Sequence, residues 1–295
     1  MSRDILEETI ACVRSRLGDL DEIVIERAVV GLFFSGVKLS TGHAGSAATP
    51  IKDIPEAVCC PSSAMAMPFP GKLRGRKAAT LMEEAVGSTG VRRALGIAAL
   101  NALAQAAAER CGSPGAQVLS DVDAFDAAEI DAGEKVVVVG AFAPFLRSLR
   151  QLGADYLVLE KDPATLKPVE IPFFRPAEQA ADVIPQADVL LITGTTLINE
   201  TLDLLLGLAK PTARVAVVGP TVSMLPDAFF RRGCDILGGV EITDPDAFLD
   251  VISQGGSGYH FFGKSARKIV LTPRRIHQGD GSSQLRTQQP GRNPI

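Results

Sequence analysis

The sequence has 295 residues and a formal charge of −4, with 46% hydrophobic, 22% charged and 5% aromatic residues and no Trp. This composition is close to the globular average, so it excludes collagen-like, disordered and disulfide-scaffold chains, and the length allows two domains. The scarcity of aromatic residues and the negative charge exclude a single-stranded nucleic-acid platform, which needs stacked rings on a basic surface.

The cysteines are odd in number and widely spaced, which predicts reduced thiols in a cytoplasmic protein rather than a secreted disulfide framework. Acidic residues interrupt every apolar run of residues 1–16, so we expect neither a signal peptide nor a transit peptide. The longest uncharged apolar stretch, residues 94–108, is shorter than a membrane span. We therefore expect neither a membrane nor nucleic acid as a partner.

The first part of the chain is predicted to be an α+β unit, because helical spacing and strand-like alternation of apolar residues follow one another. Its predicted elements in chain order are a helix over 5–17, strands over 23–30 and 32–39, a turn-rich loop over 42–53, a short strand over 57–60, and helices over 77–86 and 88–110. This predicts a helix and a hairpin followed by two further helices.

The second part has a different pattern of short, continuous apolar runs, each followed by helical or irregular sequence. The runs are residues 135–140, 156–160, 188–193 and 214–219, with a fifth run at 234–237 before a predicted helix over 245–252. Such runs are typical of parallel strands buried on both faces by helices. The fold class is therefore α/β, with an α+β unit preceding a parallel-sheet unit.

Charge and composition suggest where these units divide. Residues 113–133 contain five acidic and no basic residues, which favours a linker, and residues 274–295 are rich in Gly, Ser, Asn and Gln, which favours a disordered tail. The expected organisation is an α+β domain over 1–112, an acidic linker over 113–133, a parallel-sheet domain over 134–273 and the tail.

Ligands of open parallel sheets bind beyond the carboxyl ends of the strands, so residues at these ends are the first candidates for a site. Gly140 keeps the first glycine of a dinucleotide fingerprint, but Phe142 stands where a second glycine is needed, so the usual pyrophosphate cradle is not predicted. Glu160 follows 20 residues later, where nucleotide-binding folds place an acid for ribose hydroxyls. The alternative for Glu160 is a solvated acid in a turn.

The third run ends in a polar cluster formed by Thr193, Gly194 and Thr195, with Asn199 close behind. Hydroxyl and amide groups before a predicted helix are suited to hold a carboxylate or phosphate, while ordinary helix capping is the alternative. Gly219 ends the fourth run and permits close approach of the backbone to a ligand.

The predicted helix over 88–110 is apolar on all sides from residue 94 to residue 108 and carries Asn101 in the middle of that stretch. A buried amide needs hydrogen-bond partners, so Asn101 is expected either to specify the packing of the core or to contact a ligand at an interface.

Soft metal donors are concentrated in one window of the first domain, and they are His43, Cys59, Cys60, Met65 and Met67. Imidazole, thiolate and thioether groups favour a soft or borderline ion such as Cu(I) or Zn(II). Adjacent cysteines in a strand point to opposite faces, however, and no CxxC pair is present, so simple packing is the alternative. The metal-ligand candidates are thus His43, Cys59 and Cys60.

Five segments together carry a resemblance to a known family, and they are residues 93–102, 138–142, 157–163, 187–199 and 218–223. On these segments the chain resembles a heavy-metal-chelation family of unknown function. The resemblance implies an enolase-N-terminal-like α+β domain, a Rossmann-like domain and a site in the cleft between them. Its implied ligand-binding residues are Asn101, Gly140, Phe142, Glu160, Thr193, Gly194, Thr195, Asn199 and Gly219. Cys59 and Cys60 are features of only part of the family.

Three hypotheses of function follow. In the first, the cleft binds a metal ion or a metal-bearing small molecule. In the second, an enzyme uses a nucleoside-containing cofactor or a small anionic substrate, with Glu160 on the ribose and residues 193–199 on the anion. In the third, the chain is a structural homo-oligomer with an unused cleft. The sequence contains no Ser/His/Asp signature, no P-loop and no HExxH motif, so no catalytic residue is assigned, and a homodimer is the expected assembly.

Overall fold

The computed structural model describes residues 4–54, 67–131 and 133–274. The helices are α1 (Ile5–Leu17), α2 (Ala78–Met82), α3 (Glu84–Gly87), α4 (Gly90–Cys111), α5 (Ala124–Ala127), α6 (Ala143–Leu152), α7 (Ala180–Val183), α8 (Leu202–Leu208), α9 (Asp227–Phe230), α10 (Pro245–Ser253) and α11 (Gly258–Phe261). The strands are β1 (Ile25–Val30), β2 (Phe34–Leu39), β3 (Ala44–Ala48), β4 (Ala116–Ser120), β5 (Lys135–Val139), β6 (Asp155–Glu160), β7 (Phe174–Pro176), β8 (Val189–Thr193), β9 (Arg214–Val218), β10 (Ile236–Ile242) and β11 (Ala266–Pro273). None of these helices is long and apolar enough to cross a bilayer.

The second part of the chain forms an eight-stranded sheet in the order β4-β11-β10-β9-β8-β5-β6-β7. Strands β5 to β10 are mutually parallel, and their spatial order is that of a doubly wound, Rossmann-like sheet. Strands β11 and β4 extend it in antiparallel fashion. The predicted α/β class and parallel sheet are confirmed, while the likeness of the first domain to an enolase N-terminal domain stays a prediction.

The parallel strands are apolar throughout because both faces of the sheet are covered. In β5, Val136 and Val138 pack with α5 and α6 in one hydrophobic cluster. Val137, between them, points to the other face and belongs to a second cluster that includes α1, α4 and α8. Successive strand residues alternate between faces, so burial of both faces requires a continuous run.

The first domain is a three-stranded antiparallel sheet, β1-β2-β3, packed on the long helix α4. The predicted hairpin is present as β1 and β2, but the loop predicted for residues 42–53 is wrong because β3 lies within it. Gly45 explains this small-residue strand, since a Cβ there would lie 2.3 Å from the Ala98 O and Ala102 N atoms. Small side chains are what allow β3 to lie against the helix backbone.

The predicted linker also differs from the structure. Strand β4 lies within residues 113–133 and pairs with β11, and α5 follows it against the sheet. One of its five acidic residues, Asp123, has a local role, because it caps α5 and forms an ion pair with Lys268. We therefore propose the domain boundary at residues 112–115. The short strand predicted over 57–60 and the tail beyond residue 274 lie outside the described residues.

The two domains are joined by a common core and by ion pairs. Residues of α1 and α4 belong to the same hydrophobic cluster as one face of the eight-stranded sheet. At the periphery Glu8 pairs with Arg231 and Arg232, at 2.6 and 2.8 Å, and Arg16 pairs with Asp227 at 2.7 Å. The seam between the domains is therefore a packed interface.

Replacement of Gly45 by Ala is expected to lower the free energy of unfolding by about 3 kcal/mol, because the added methyl group has no space beside the backbone of α4. Gly207 in α8 provides the control, since a Cβ there meets no atom within 4 Å and Ala is the better helix former. Urea unfolding followed by circular dichroism measures both variants. Equal stability of Gly45→Ala and the wild type would contradict the packing described for β3.

Glu8 should make stability depend on pH. Hydrogen bonds from Arg232 and then Arg231 hold the pKa of Glu8 below its ordinary value, so its contribution is present above the unfolded-state pKa and is lost as pH falls through the folded-state pKa. We expect Glu8→Gln to lower the free energy of unfolding by about 1 kcal/mol at neutral pH and by less below about pH 4. Urea unfolding at both pH values measures this, with exposed Glu7→Gln on the same helix as the control.

Candidate functional site

One cavity lies at the carboxyl edge of the parallel sheet, where β5 and β8 are neighbours and the strand order reverses. We call it the strand-edge cavity; it has a volume of about 290 Å³. Its lining includes Val139, Gly140, Leu159, Glu160, Lys161, Glu178, Thr193, Thr195, Thr196, Asn199, Thr201, Leu204 and Leu205. Five predicted ligand-binding residues, Gly140, Glu160, Thr193, Thr195 and Asn199, are thus brought together here.

Within this cavity the Glu160 carboxylate is already bonded to the protein. Its oxygens accept hydrogen bonds from the backbone N–H groups of Ala141 at 2.9 Å, Lys161 at 2.8 Å and Asp162 at 3.2 Å. The N–H of Ala141 follows Gly140, in the loop that carries phosphate-binding groups in a dinucleotide fold. Glu160 therefore closes this loop and has little capacity left for ribose hydroxyls.

The threonine cluster is partly structural. The Thr196 hydroxyl donates to the Thr193 carbonyl at 2.6 Å and is buried, which explains it as a local turn contact. The exposed hydroxyl of Thr195 lies 3.0 Å from that of Thr193, and both border the cavity. Asn199 accepts a 2.6 Å bond from the Thr201 hydroxyl. The cluster thus presents neutral hydroxyl and amide groups rather than a concentration of positive charge.

The first domain reaches this region through two ion pairs that the sequence reasoning did not predict. Arg93 of α4 is 2% exposed and pairs with Glu200, which lies between Asn199 and Thr201 and has a φ of 63°. The second pair joins Lys52 to Asp162, which directly follows the cavity residues Glu160 and Lys161. The Lys52 ammonium holds the pKa of the Asp162 carboxyl below its ordinary value. The available sequence signal for the first pair was that Arg93 directly precedes residues 94–108, which contain no charged side chain.

A second cavity lies in the seam between the domains. We call it the inter-domain cavity; it has a volume of about 450 Å³. Its first-domain lining is His43, Ala44, Asn101, Ala104, Gln105, Ala108, Glu109 and Gly112, and its second-domain lining includes Val118, Ser223, Met224, Leu225, Val240, Glu241, Ile269 and Leu271. Most of these side chains are apolar, so the polar groups among them are few and well defined.

Asn101 is 1% exposed, and its amide is oriented by its partners. The Nδ2 group donates to the carbonyls of Ser46 at 2.7 Å, Thr221 at 3.0 Å and Pro220 at 3.2 Å. Three surrounding acceptors fix which atom is nitrogen. The Oδ1 atom is buried and has no hydrogen-bond partner among the described residues. Asn101 thus joins β3 to the loop after β9 and leaves one acceptor unused.

His43 and Glu109 meet at the border of the same cavity. The His43 Nε2 atom lies 2.5 Å from Glu109 Oε2, and its Nδ1 atom lies 3.0 Å from the Thr41 hydroxyl. Glu109 was not predicted, although Asn101, Gln105 and Glu109 form a polar stripe at intervals of four on an apolar helix. That spacing places the three side chains on one helix face and could have identified the site.

Not every predicted residue lies in a cavity. Phe142 stacks on Phe145, with ring centroids 5.1 Å apart, and belongs to the lining of neither cavity. Gly194 is a packing position, because a Cβ there would lie 2.9 Å from a Val222 methyl group. Gly219 adopts a φ of 132°, and its nearest contact for a Cβ is the Gly194 nitrogen at 3.9 Å.

The remaining predicted metal donors, Cys59 and Cys60, lie outside the described residues. Within the part of the chain that the structure describes, no group of three or more His, Cys, Asp and Glu side chains is placed to hold a metal ion. His43 and Glu109 therefore supply a pair of donors and not a complete coordination shell.

Residues 219–222 lie between Asn101 and Gly194, and none of them belongs to the lining of either cavity. The loop formed by residues 219–222 receives the Asn101 hydrogen bonds on one side, and its Thr221 and Val222 side chains pack against Gly194 on the other. The Thr221 hydroxyl also accepts a 3.0 Å bond from the Ala48 N–H. The predicted ligand-binding residues thus lie in two different cavities, with Asn101 in one and Gly140, Glu160, Thr193, Thr195 and Asn199 in the other.

Replacement of Asn101 by Leu is expected to lower the free energy of unfolding by about 2 kcal/mol, because buried carbonyls of β3 and the 220–221 loop lose their donor. Gln105→Leu is the matched control one turn further along the helix, where the amide makes one long bond of 3.4 Å. Urea unfolding measures both changes. A loss for Asn101→Leu no larger than that for Gln105→Leu would contradict the structural role of the amide.

Comparison with known families gives two matches, both described as "Putative heavy-metal chelation". The DUF364 profile matches residues 123–271, and the DUF4213 profile matches residues 14–104. Together they cover both domains.

Similar proteins extend this result without adding an activity. An uncharacterized protein of Methanocaldococcus jannaschii is 30% identical over 184 residues, which are 60% of this chain and 65% of that relative, less than two thirds of its length. Two crystal structures of DUF364 proteins of unknown function share the fold. The one from Pyrococcus horikoshii has 18% identity and a TM-score of 0.69, with 91% of this chain and 100% of that chain covered. The one from Desulfitobacterium hafniense has 20% identity and a TM-score of 0.69, with 92% and 98% covered.

Proposed function

Because the chain belongs to the DUF364 family, whose profile carries the heavy-metal description, we propose that it binds a metal-bearing small molecule in the inter-domain cavity. The observation that carries this proposal is the meeting of His43 and Glu109 at the border of a largely apolar cavity. One imidazole nitrogen and one carboxylate oxygen suit borderline cations such as Zn²⁺, Ni²⁺ and Co²⁺.

The number of donors indicates the class of ligand. These cations take four to six donors, and the described residues provide His43 and Glu109 as a pair without a third clustered ligand. A volume of about 450 Å³ is also far larger than a single ion and is typical of small-molecule sites. A cation that arrives with an organic chelator would satisfy both conditions, with the chelator filling the cavity and the protein completing the coordination.

Asn101 supports an organic component. Its Oδ1 atom is a buried acceptor without a partner among the described residues, and an N–H or O–H group of the chelator would satisfy it. The apolar walls formed by Ala104, Leu225 and Val240 would contact the carbon skeleton. On this proposal the ligand is a small molecule with hydrogen-bond donors at one end and metal-binding groups at the other.

The predicted thiol ligands remain a separate part of the proposal. Cys59 and Cys60 rest on the sequence alone, and thiolates would add soft donors to the His43 and Glu109 pair. The chain is proposed to be a cytoplasmic protein with reduced thiols, so binding is measured with a thiol-free reductant present.

The alternative of a nucleoside-containing cofactor or a small anionic substrate would use the strand-edge cavity, with Gly140, Thr193, Thr195 and Asn199 as binding groups. It is the weaker proposal, because the Glu160 carboxylate is bonded to three backbone N–H groups. The loop that would receive a pyrophosphate is bonded to Glu160 through the Ala141 N–H, so a cofactor would have to break an existing contact.

The test is metal binding by untagged protein, measured by isothermal titration with Ni²⁺ and Zn²⁺, each alone and as a complex with a tridentate chelator. We expect His43→Ala to weaken binding by at least about tenfold, the loss of one ligand's contribution, and Glu109→Gln to weaken it by a similar factor. His260→Ala is the control, because His260 is exposed, lies in α11 and caps that helix with Ser257.

Two further measurements distinguish this proposal from a thiolate site elsewhere and from the nucleoside alternative. Binding that is unchanged in His43→Ala but lost in the Cys59→Ser/Cys60→Ser variant would move the site away from the inter-domain cavity. Absence of metal binding, together with a thermal shift by nicotinamide cofactors or S-adenosylmethionine that Glu160→Ala abolishes, would replace the metal proposal by the nucleoside alternative.

A further inference from the structure

Two amides that line the inter-domain cavity have hydrogen-bond acceptors that the protein does not use. The Asn101 Oδ1 atom is buried and has no partner among the described residues. One turn further along α4, the Gln105 Nε2 group donates to the Ile242 carbonyl at 3.4 Å, while its Oε1 atom accepts no bond from a described residue. Because the Asn101 Nδ2 group is already bonded to three carbonyls, the oxygen is the atom that this amide can offer to a ligand.

The same cavity is lined by two carboxylates, those of Glu109 and Glu241, and by no Lys or Arg among its described residues. Arg267 of β11 pairs with Glu241 at 2.8 Å and offsets that charge from outside the lining. An imidazole binds a metal in its uncharged form, so His43 adds no positive charge to a metal complex bound here. The Glu109 carboxylate then gives the lining a surplus of negative charge, which favours cationic ligands.

The hydroxyl groups of the lining do little to change this balance. The Ser223 hydroxyl already donates to the Pro220 carbonyl at 2.9 Å and accepts from the Val240 N–H at 2.8 Å. Ser113, in the segment that follows α4, is the other hydroxyl among the described lining residues. A ligand carboxylate in this cavity would therefore find no lining cation and few free donors, whereas an N–H group would find several unused acceptors.

We propose that the chelator is an amine whose nitrogens bind the metal, so that the complex carries a net positive charge; this inference rests on the proposed binding of a metal complex in the inter-domain cavity. A primary or secondary amine that binds a metal keeps its N–H groups as donors, whereas a bound carboxylate offers only acceptors. The N–H groups would satisfy the Asn101 and Gln105 oxygens, while His43 and Glu109 complete the coordination. Polycarboxylate chelators are rejected by the same surplus of acceptors.

The test is isothermal titration of the full chain with two nickel complexes of equal stoichiometry. One contains diethylenetriamine, which is tridentate, uncharged and rich in N–H groups, and the other contains iminodiacetate, which is tridentate and dianionic. Both chelators leave the same number of coordination sites for the protein. We expect the diethylenetriamine complex to bind at least about tenfold more tightly. Because the two complexes differ in their intrinsic affinity for imidazole, the ratio of the two affinities is then compared between variants.

Three Lys variants test whether the lining sets this ratio. Gln105→Lys removes an acceptor and adds a cation, so it is expected to lower the preference for the diethylenetriamine complex about tenfold. Ser113→Lys adds a cation from the segment after α4 and decides the outcome if Gln105→Lys fails to fold. Gln151→Lys is the matched control, since Gln151 is exposed on α6 and outside the lining, and it should keep the wild-type ratio.

The outcomes separate this inference from the proposed function. Equal affinities in the wild type, or tighter binding of the iminodiacetate complex, would overturn the amine chelator, while weaker binding of both complexes by His43→Ala would still support a metal complex in this cavity. A ratio that Gln105→Lys and Ser113→Lys leave the same as Gln151→Lys would also overturn the inference. Binding of neither complex by the wild type would contradict the proposed function and the inference together.

Discussion

The complete burial of helix α4 is the constraint on which the rest of the structure depends. The helix lies between the three-stranded sheet and the core of the second domain, and its residues 94–104 are all nearly inaccessible to solvent. Such a helix needs neighbours that approach its backbone closely. Gly45 provides this on the strand side, and Gly96 provides it on the helix itself, where a Cβ would lie 2.2 Å from the Ala85 nitrogen. The first domain therefore uses glycine where α4 and its neighbours meet backbone to backbone, while Leu, Ile and Val side chains fill the rest of its core.

This constraint explains which elements the sequence could predict. The parallel strands are apolar runs because both faces of the sheet are buried, and that property is local enough to be read from residues 135–139 or 189–193 alone. Strand β3 was missed because its residues are Ala, Gly and Ser, which have no strand preference of their own and are required only by contact with α4. Strand β4 was missed because its place in the sheet comes from β11, a partner about 150 residues away.

The candidate sites show the same division between local and long-range information. The sequence predicted that strand-end residues gather at the switch point, because topology alone requires this. It did not predict that Asn101 lies in a different cavity, since that depends on how α4 crosses the second domain. Glu160 illustrates a further limit: its position matches a ribose-binding acid, but its carboxylate is held by the N–H groups of the adjacent loops. Two of these partners, Lys161 and Asp162, directly follow Glu160, but the bond from Ala141 depends on the pairing of β5 with β6 and cannot be read from the local sequence.

The two polar atoms of the Asn101 amide differ in how the structure explains their presence in an apolar helix. Its nitrogen faces three carbonyls, so the core accounts fully for that half of the amide. Its oxygen is buried without a partner among the described residues, and an unsatisfied buried acceptor costs about 1–3 kcal/mol. Packing alone therefore explains the donor and not the acceptor. A ligand in the inter-domain cavity that donates a hydrogen bond would remove this cost on binding, so the structural and ligand-binding interpretations of Asn101 apply to different atoms of the same side chain.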